Sequence, residues 1–247
     1  MKTKIHLLLT ATVDPQGVVN MHRADPSLRL SDYRSACSWW NTAFASSGLE
    51  SITICDNSNH LIAPGSNTET WGNIVSLTWD GQGFDRSLGK GYGEMQTIKA
   101  AFERLGPQWG SRDWVIKCNG RYRVPSINRL CKFIQDSDST DLIADMSRNL
   151  SWCDSRFFAA RVQCWNDALI PFGERLNDSI GFYFEHGLAC AAHELMAQRK
   201  GFNLLPFAPK ILGISGSMGF SYNSSFALLK QWAKRRLYPI KRAAFRA

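Results

Sequence analysis

The chain reads Trp114-Val115-Ile116-Lys117-Cys118-Asn119-Gly120-Arg121-Tyr122-Arg123 over residues 114–123. The first three residues are the apolar core of a predicted strand. Lys117 and Arg121 come at the tip of that strand, beside Gly120, which adds no side chain. Proteins that bind a phosphate or diphosphate set fixed cations beside open backbone in this way. The stretch therefore predicts an anion site at a strand end, and a solvated hairpin is the alternative.

Strand-like and helical runs alternate around this strand. Strands are predicted at 4–13, 51–55, 73–79 and 113–118, with further candidates at 141–145 and 156–162. Helices are predicted at 28–46, 92–105, 126–135 and 184–199. This alternation is typical of an α/β fold with a mostly parallel sheet flanked by crossover helices. We expect a single domain over residues 1–227, followed by a basic amphipathic segment at 228–247.

Two polar loops, at 57–70 and 80–91, follow predicted strands and contain several glycines. In an open α/β sheet, ligands bind in the crevice outside the carboxyl ends of the strands. Both loops are therefore predicted to lie on the functional edge of the sheet.

The second loop runs into Gly89-Lys90-Gly91-Tyr92-Gly93-Glu94 at the start of a predicted helix. It matches neither a Walker A loop nor the G-x-G-x-x-G dinucleotide fingerprint, which argues against an ATPase and a dehydrogenase. We expect Lys90 to lie on a flexible loop, and Gly91 and Gly93 to clear space for a ligand. Glu94 either binds sugar hydroxyls or caps its helix.

Three further groups of candidate binding residues precede this loop. A turn after the first strand offers hydroxyls and free amides, a predicted helix offers two residues at i, i+4 spacing, and the tip of the second strand carries an acidic residue. An Asx turn would also explain the last group, and a surface salt bridge is an alternative for the arginine. The groups are Thr10, Ala11, Thr12 and Asp14; Arg29 and Tyr33; and Asp56, Asn57 and Ser58.

Two acidic motifs lie in the second half of the chain. Glu185 lies in an otherwise apolar stretch and is our candidate general base. The alternative is that its carboxylate only forms hydrogen bonds at the start of the predicted helix. The D-x-D spacing at 136–138 could bind manganese, but it follows a predicted helix, so a polar turn is favoured. Binding of a divalent ion, Mn²⁺ or Mg²⁺, therefore stays an open alternative, and no residue is assigned to it.

Seven cysteines without a C-x-x-C pair, several within apolar runs, indicate reduced core thiols in a cytosolic protein. The N-terminal apolar run contains His6 and lacks a small-residue cleavage site, so it is expected to be a buried first strand and not a signal peptide. No window of the sequence approaches the ~18 apolar residues of a membrane span.

Charge is distributed unevenly along the chain. The net charge is +8, but ten cations and no acidic residue follow Glu194, which leaves residues 1–194 at −2. Cations alternate with Trp, Leu and Tyr at 228–238, a pattern that suits an anionic membrane surface. A solvated tail is the alternative, and nucleic acid is disfavoured because the cations are confined to one end of the chain.

Taken in order, the motifs at 9–15, 55–58, 89–94 and 117–122 resemble a bacterial glycosyltransferase family of surface-polysaccharide (O-antigen or capsule) clusters, over about residues 4–220. The resemblance implies a GT-A-like, Rossmann-related fold. It also implies transfer of a sugar from a nucleotide diphosphate donor, expected to be a UDP-sugar, to a glycan or lipid-linked acceptor. The protein would then be cytoplasmic, at the inner face of the membrane.

Under this interpretation, Lys90, Lys117 and Arg121 stabilise the departing diphosphate, and Glu185 or Glu94 activates the acceptor or orients the donor sugar. Lys117, Asn119 and Arg121 would occupy the region that holds the D-x-D motif in the family, and Gly120 and Tyr122 of the same segment are further candidate binding residues. Two alternatives stay open, a non-transferase nucleotide-binding α/β protein and a basic adaptor that binds lipid or nucleic acid.

Overall fold

The computed structural model describes residues 3–16, 22–64, 69–81, 83–215, 219 and 221–246, with backbone alone at 245 and 246. Ten strands are described: β1 (Ile5–Ala11), β2 (Ser51–Asp56), β3 (Thr70–Trp71), β4 (Ile74–Thr78), β5 (Trp114–Asn119), β6 (Leu142–Ala144), β7 (Met146–Ser147), β8 (Trp152–Cys153), β9 (Phe157–Arg161) and β10 (Phe202–Leu204). Eight form one sheet in the order β10-β6-β9-β5-β1-β2-β4-β3, and β7 pairs with β8.

The helices are α1 (Pro26–Ser47), α2 (Gly89–Leu105), α3 (Ile127–Gln135), α4 (Val162–Cys164), α5 (Ile170–Gly173), α6 (Phe184–Ala197) and α7 (Ser225–Arg246). Short 3-10 turns lie at Arg86–Leu88, Gly106–Gln108 and Asp178–Ile180, and Trp165–Leu169 is a π-helical turn. The prediction of an α/β fold with a mostly parallel sheet and flanking helices is confirmed.

Side chains alternate across the sheet and divide the core into two layers. Leu7 and Leu9 of β1 belong to the cluster that contains residues of α1 and α3, whereas Leu8 belongs to the cluster with α2 and α6. Because successive strand residues point to opposite faces, Thr10 lies on the α2 face with Leu8. The same alternation places Lys117 of β5, which is paired with Leu8, on that face.

One expectation needs correction, and one strand has a direction that the sequence did not predict. Lys90 does not lie on a loop, since α2 already begins at Gly89. The strand predicted at 156–162 is β9, and it runs antiparallel to both β5 and β6 inside the otherwise parallel part of the sheet.

The structure also shows where the cysteines and the basic C-terminal segment lie. Six of the seven cysteines are buried, and burial raises the pKa of thiols such as Cys118 to about 12. Residues 228–246 of the predicted C-terminal segment lie within α7, whose Tyr238 is part of the main hydrophobic core. Among the described residues, no helix is long and apolar enough to cross a membrane.

His6 gives the fold a pH dependence. Its ring stacks on Trp109 and its Nδ1 lies 2.8 Å from Ser51 Oγ. Burial lowers the pKa of His6 below 6.5, although Asp113 acts in the opposite direction. Unfolding therefore takes up a proton in the range below pH 6.5, so the free energy of unfolding falls as the pH falls through that range.

We expect His6→Gln to flatten the decline of the free energy of unfolding below pH 6.5, measured by urea denaturation at several pH values. His193→Gln, at an exposed position on α6, is the control and should leave the decline unchanged. Equal slopes for His6→Gln and the parent protein would contradict the assignment.

Candidate functional site

A cavity of about 310 Å³ lies at the carboxyl ends of β1, β2 and β5, between the first turns of α2 and α6. This volume is in the range of small-molecule sites, roughly 300–1,000 Å³. Most of the sequence-predicted site residues line it, namely Thr10, Ala11, Thr12, Arg29, Tyr33, Asn57, Lys90, Gly91, Gly93, Glu94, Lys117, Asn119, Arg121, Tyr122 and Glu185. Lys90 and Arg121 therefore share one cavity, as their proposed joint role requires.

Asp56, Ser58 and Asp14 do not line the cavity. Asp56 is fully buried and accepts hydrogen bonds from the backbone N–H groups of Val13, Ser58 and His60. The Ser58 hydroxyl also donates to Asp56, and it accepts from the Asp14 N–H. These bonds tie the end of β2 to the turn after β1, as in the Asx-turn alternative, so the expectation that Asp56 binds the ligand is corrected.

Gly120 also lies outside the cavity lining, and its lack of a side chain serves packing. A Cβ at this position would lie 2.9 Å from the Thr10 carbonyl oxygen and 3.1 Å from the Tyr33 ring. Its N–H donates to the Thr10 carbonyl. Gly120 therefore allows the chain after β5 to cross close to the end of β1.

Lys117 and Glu94 form an ion pair in the cavity wall. Lys117 Nζ is 2.7 Å from Glu94 Oε1 and donates to the Ser155 carbonyl at 2.7 Å. The Thr10 hydroxyl donates to the same Glu94 oxygen at 2.6 Å. The expectation that Lys117 offers a free charge to a diphosphate is therefore corrected, because Glu94 already compensates that charge. Glu94 does not cap its helix; it cross-links α2 to β1 and β5.

A carboxylate from the chain itself occupies the N-terminus of α2. Asp178 accepts a hydrogen bond from the Lys90 N–H at 3.1 Å and also interacts with the Gly91 N–H. Gly89 has φ +84°, and a Cβ there would lie 2.3 Å from Asp178 Cγ. Burial raises the pKa of Asp178, against the opposing effect of Lys90. The glycines therefore clear space for Asp178.

Phe84 forms an aromatic wall of the cavity beside α2. A Cβ on Gly93 would lie 2.6 Å from Phe84 Cζ, so the absence of a side chain at Gly93 makes room for this ring. The Arg86 guanidinium lies 5.0 Å from the centre of the Phe84 ring. This wall offers an apolar face with a cation beside it.

Arg29 and Tyr33 hold the turn after β1. Arg29 Nε donates to the Thr12 carbonyl at 2.6 Å, and the Thr12 N–H donates to the Tyr33 hydroxyl at 3.0 Å. Arg29 is 2% exposed, so the alternative of a surface salt bridge is wrong. Burial is the main reason that the pKa of Arg29 is lowered, and the charge of Arg121 acts in the same direction.

Arg121 is the least satisfied polar side chain of the cavity. It is 6% exposed, and its Nε and Nη1 atoms have no hydrogen-bond partner among the described residues. Its guanidinium lies 5.6 Å from the centre of the Tyr33 ring. In the described part of the chain, no carboxylate lies within ion-pair distance of Arg121 or Arg29. The cavity therefore contains a buried positive charge that nothing described compensates.

The remaining predicted residues have defined contacts. Glu185 lies in the first turn of α6, and its Oε1 accepts from the Ser155 hydroxyl at 2.8 Å. Asn119 Oδ1 accepts from the Arg121 N–H at 3.3 Å, which positions the arginine backbone. Tyr122 packs edge-on against Tyr222, with ring centres 5.4 Å apart.

Sequence reasoning missed Asp178, Ser155, Arg156 and Tyr222, which also line the cavity. Arg156 binds Asp154 through two hydrogen bonds, of 2.8 and 2.6 Å, and donates to the Tyr222 hydroxyl. The polar run at 154–156, where a predicted strand begins, is a signal that could have found two of them. Asp178 has no such signal, because it reaches the cavity only through the tertiary fold.

The D-x-D spacing lies outside the cavity. Asp136 is the C-cap residue of α3, and the Ser137 and Asp138 carbonyls accept hydrogen bonds from Arg161. The segment forms a polar turn after the helix, as its position in the sequence favoured. The glycine-rich segment at 213–219 lies in part outside the described residues, although Ser215 lines the cavity.

The fold and cavity define an α/β protein with a cationic pocket at the carboxyl edge of its sheet. Among solved structures, the chain is similar to one named as a nucleotide-diphospho-sugar transferase from Desulfovibrio desulfuricans G20 (TM-score 0.45, 12% identity, covering 82% of this chain and 80% of that one). It is also similar to a 4-diphosphocytidyl-2C-methyl-D-erythritol synthase (TM-score 0.45, 11% identity, covering 94% of this chain and 98% of that one). A third similar structure is the glycosyltransferase GlyE of Streptococcus pneumoniae TIGR4 (TM-score 0.43, 11% identity, covering 83% of this chain and 45% of that one). No family model and no curated protein matches the chain. All three TM-scores lie below 0.5, so these similarities do not assign a function to the chain.

The uncompensated charge of Arg121 predicts an unusual effect on stability. Removing a buried, unpartnered charge eliminates a desolvation penalty, so Arg121→Met is expected to raise the free energy of unfolding of the ligand-free protein by about 1 kcal/mol or more. Arg156→Met is the matched control. It removes the partner of Asp154 and is expected to lower the same quantity by about 1.5–3 kcal/mol. Both values are measured by urea denaturation, and equal losses for the two variants would contradict the description of Arg121.

Proposed function

We propose that the protein is a glycosyltransferase that moves a sugar from a nucleotide diphosphate donor, a UDP-sugar, to a glycan or lipid-linked acceptor in bacterial surface polysaccharide synthesis. The observation that carries this proposal is the buried guanidinium of Arg121, whose Nε and Nη1 have no described partner and which lines the cavity. The resemblance of the motif order to such enzymes supports the choice of reaction.

The charge distribution favours a phosphate-bearing ligand. A buried cation without a partner is costly, and a bound anion offsets that cost. The planar guanidinium of Arg121 suits two phosphate oxygens, because its N–H groups form a fork of matching geometry. Lys90 lines the same cavity and adds a second cation from the first turn of α2. A diphosphate between Arg121 and Lys90 would satisfy these requirements.

The rest of the cavity suits the other parts of such a donor. The turn at 10–12, held by Arg29 and Tyr33, would contact the nucleoside, with small Ala11 allowing close approach. Glu94, fixed by Lys117 and Thr10, would orient the sugar hydroxyls. Asn57 and Asn119 add amide groups to the lining.

In the proposed reaction, an acceptor hydroxyl oxygen forms a bond to the anomeric carbon of the donor sugar, and the bond between that carbon and the diphosphate oxygen breaks. The electron pair of the broken bond stays on the departing diphosphate, where Arg121 and Lys90 stabilise the charge. The proton of the acceptor hydroxyl passes to a carboxylate. Glu185 is assigned this role, because its Oε1 is fixed by Ser155 and no hydrogen bond from a described residue reaches its Oε2.

The charge of the departing diphosphate is assigned to side chains of the cavity and not to a divalent metal. Among the described residues, no group of three or more His, Cys, Asp or Glu side chains could hold an ion. At the end of β5, the strand tip that carries the D-x-D motif in the related family, the chain has Lys117 and Arg121 instead. We therefore derive no step through a metal, and the arginine takes the place of the ion's positive charge.

Arg121→Ala tests the anion site. We expect its affinity for UDP to fall by about 10- to 100-fold, since a charged hydrogen-bonding group contributes roughly 1.5–3 kcal/mol. Uridine lacks the diphosphate, so its affinity should be unchanged. The measurement is isothermal titration calorimetry with and without Mn²⁺, and Arg112→Ala, at an exposed position outside the lining, is the control. An unchanged UDP affinity in Arg121→Ala would overturn the proposal.

Glu185→Gln tests the base. Because general base catalysis contributes about 10²–10⁴-fold, we expect kcat for sugar transfer to fall by at least about 100-fold, with UDP affinity unchanged. Asp178→Asn is the comparison, since Asp178 is another carboxylate of the cavity lining. A large loss of kcat in Asp178→Asn but not in Glu185→Gln would transfer the role to Asp178.

Slow release of sugar from the nucleotide separates the transferase from the non-transferase alternative. A panel of nucleotide sugars incubated with the protein should yield free sugar and UDP from at least one donor. Tight UDP binding without release from any donor would instead support a nucleotide-binding protein with the same cavity.

A further inference from the structure

The C-terminal helix α7 packs on the body of the protein through its polar face. Lys234 Nζ lies 2.6 Å from Asp145 Oδ2, and Lys241 pairs with the other oxygen of this buried carboxylate. Gln231 exchanges hydrogen bonds with the backbone of Ile211. Tyr238 is buried on the same side of the helix. The contacts on this face include two lysines and a glutamine, whereas amphipathic helices normally pack through an apolar face.

The opposite face of α7 carries an apolar stripe in solvent. Phe226, Leu229, Leu237 and Ile240, which we call the α7 stripe, are between 63% and 78% exposed. With Ala233 between them, these residues recur at spacings of three and four, which places them on one side of a helix. At 100° per residue, that side points away from Gln231 and Tyr238. The inverted orientation leaves the apolar face without a partner in the described chain.

Cations border this stripe. Lys230 and Arg236 flank it, and Arg235 is also exposed. None of the three forms an ion pair with a described residue. Trp232 is half exposed, and the Arg236 guanidinium lies over its ring at 5.4 Å. No acidic residue occurs in the sequence after Glu194 to offset these charges.

We propose that the α7 stripe docks on an anionic lipid bilayer, with α7 lying in the plane of the membrane surface. An apolar stripe bordered by cations and a tryptophan matches the boundary between acyl chains and anionic headgroups. A second copy of the chain would bring the same uncompensated cations together around the stripe. Nucleic acid phosphates would contact the cations but leave the apolar residues without a matching surface. The inference depends on α7 alone and not on the reaction proposed above.

The face of α7 opposite the stripe is in contact with one wall of the cavity. Gln231 Nε2 donates to the Tyr222 carbonyl at 3.2 Å, and Tyr222 lines the cavity. The lipid-facing helix is therefore bonded directly to the cavity wall.

The test is co-sedimentation of the full chain with two kinds of vesicle, phosphatidylcholine alone and phosphatidylcholine with about 30 mole per cent phosphatidylglycerol. The phosphatidylglycerol gives the second kind an anionic surface. We expect binding only to the anionic vesicles, and weaker binding at high salt. Leu237→Ser/Ile240→Ser should reduce the binding by about tenfold or more. Leu28→Ser/Ile180→Ser, which changes similarly exposed apolar residues elsewhere, should not reduce it.

The charged border is tested in the same assay. Lys230→Glu/Arg236→Glu is expected to reduce binding by about tenfold or more, whereas Lys132→Glu/Lys200→Glu, at exposed positions outside α7, should have little effect. Circular dichroism and UDP affinity should be unchanged in all four variants, because every substituted side chain is exposed and outside the cavity. Vesicle binding that does not respond to the α7 variants would overturn the proposal. So would a dimer, or an oligonucleotide complex, that requires the stripe while vesicles are not bound.

Discussion

The ion pair between Lys117 and Glu94 is the contact on which the cavity depends. Lys117 is 1% exposed and lies in a strand at the middle of the sheet, so its charge must be compensated within the protein. Glu94 supplies that compensation from α2 and, through the Thr10 hydroxyl, joins the helix to β1 as well. Because the pair neutralises the wall that β5 and α2 share, the net positive charge of the cavity comes from elsewhere. Arg121, four residues after Lys117, carries it without a described counter-charge.

The start of α2 explains why an arginine has this role. A helix N-terminus that opens with glycines is a common anion site, because its free N–H groups and the helix dipole favour negative charge. Here Asp178 occupies that position and bonds to the Lys90 N–H. A phosphate at the same amides would have to displace the carboxylate. The anion site is therefore expected between the Arg121 guanidinium and the Lys90 side chain, away from the helix backbone.

The sequence predicted the alternation of strands and helices to within a few residues for most elements, because apolar runs bounded by glycine and polar turns carry that information locally. It misjudged the availability of Lys117, because the partner of that lysine, Glu94, comes from α2 and is not visible in the local pattern of β5. The direction of β9 and the position of Asp178 could not be predicted, because both depend on pairing between distant parts of the chain. Asp178 and Lys90 are 88 residues apart. The place of Arg121 at the cavity could be predicted, because it lies two residues after the end of β5, where local pattern and tertiary position coincide.

The same distinction between local pattern and tertiary packing applies to α7. Its sequence shows an apolar stripe with interspersed cations, which would fit either a helix packed on the core or a helix on a membrane surface. Tertiary contacts separate the two, because the buried carboxylate of Asp145 binds Lys234 and Lys241 and thereby turns the polar face of the helix inward. A buried carboxylate strongly favours such partners, since leaving it unpaired is costly. Asp145 thus fixes the rotation of α7 about its axis together with the contacts of Gln231 and Tyr238, and the outward direction of the apolar stripe follows from these constraints.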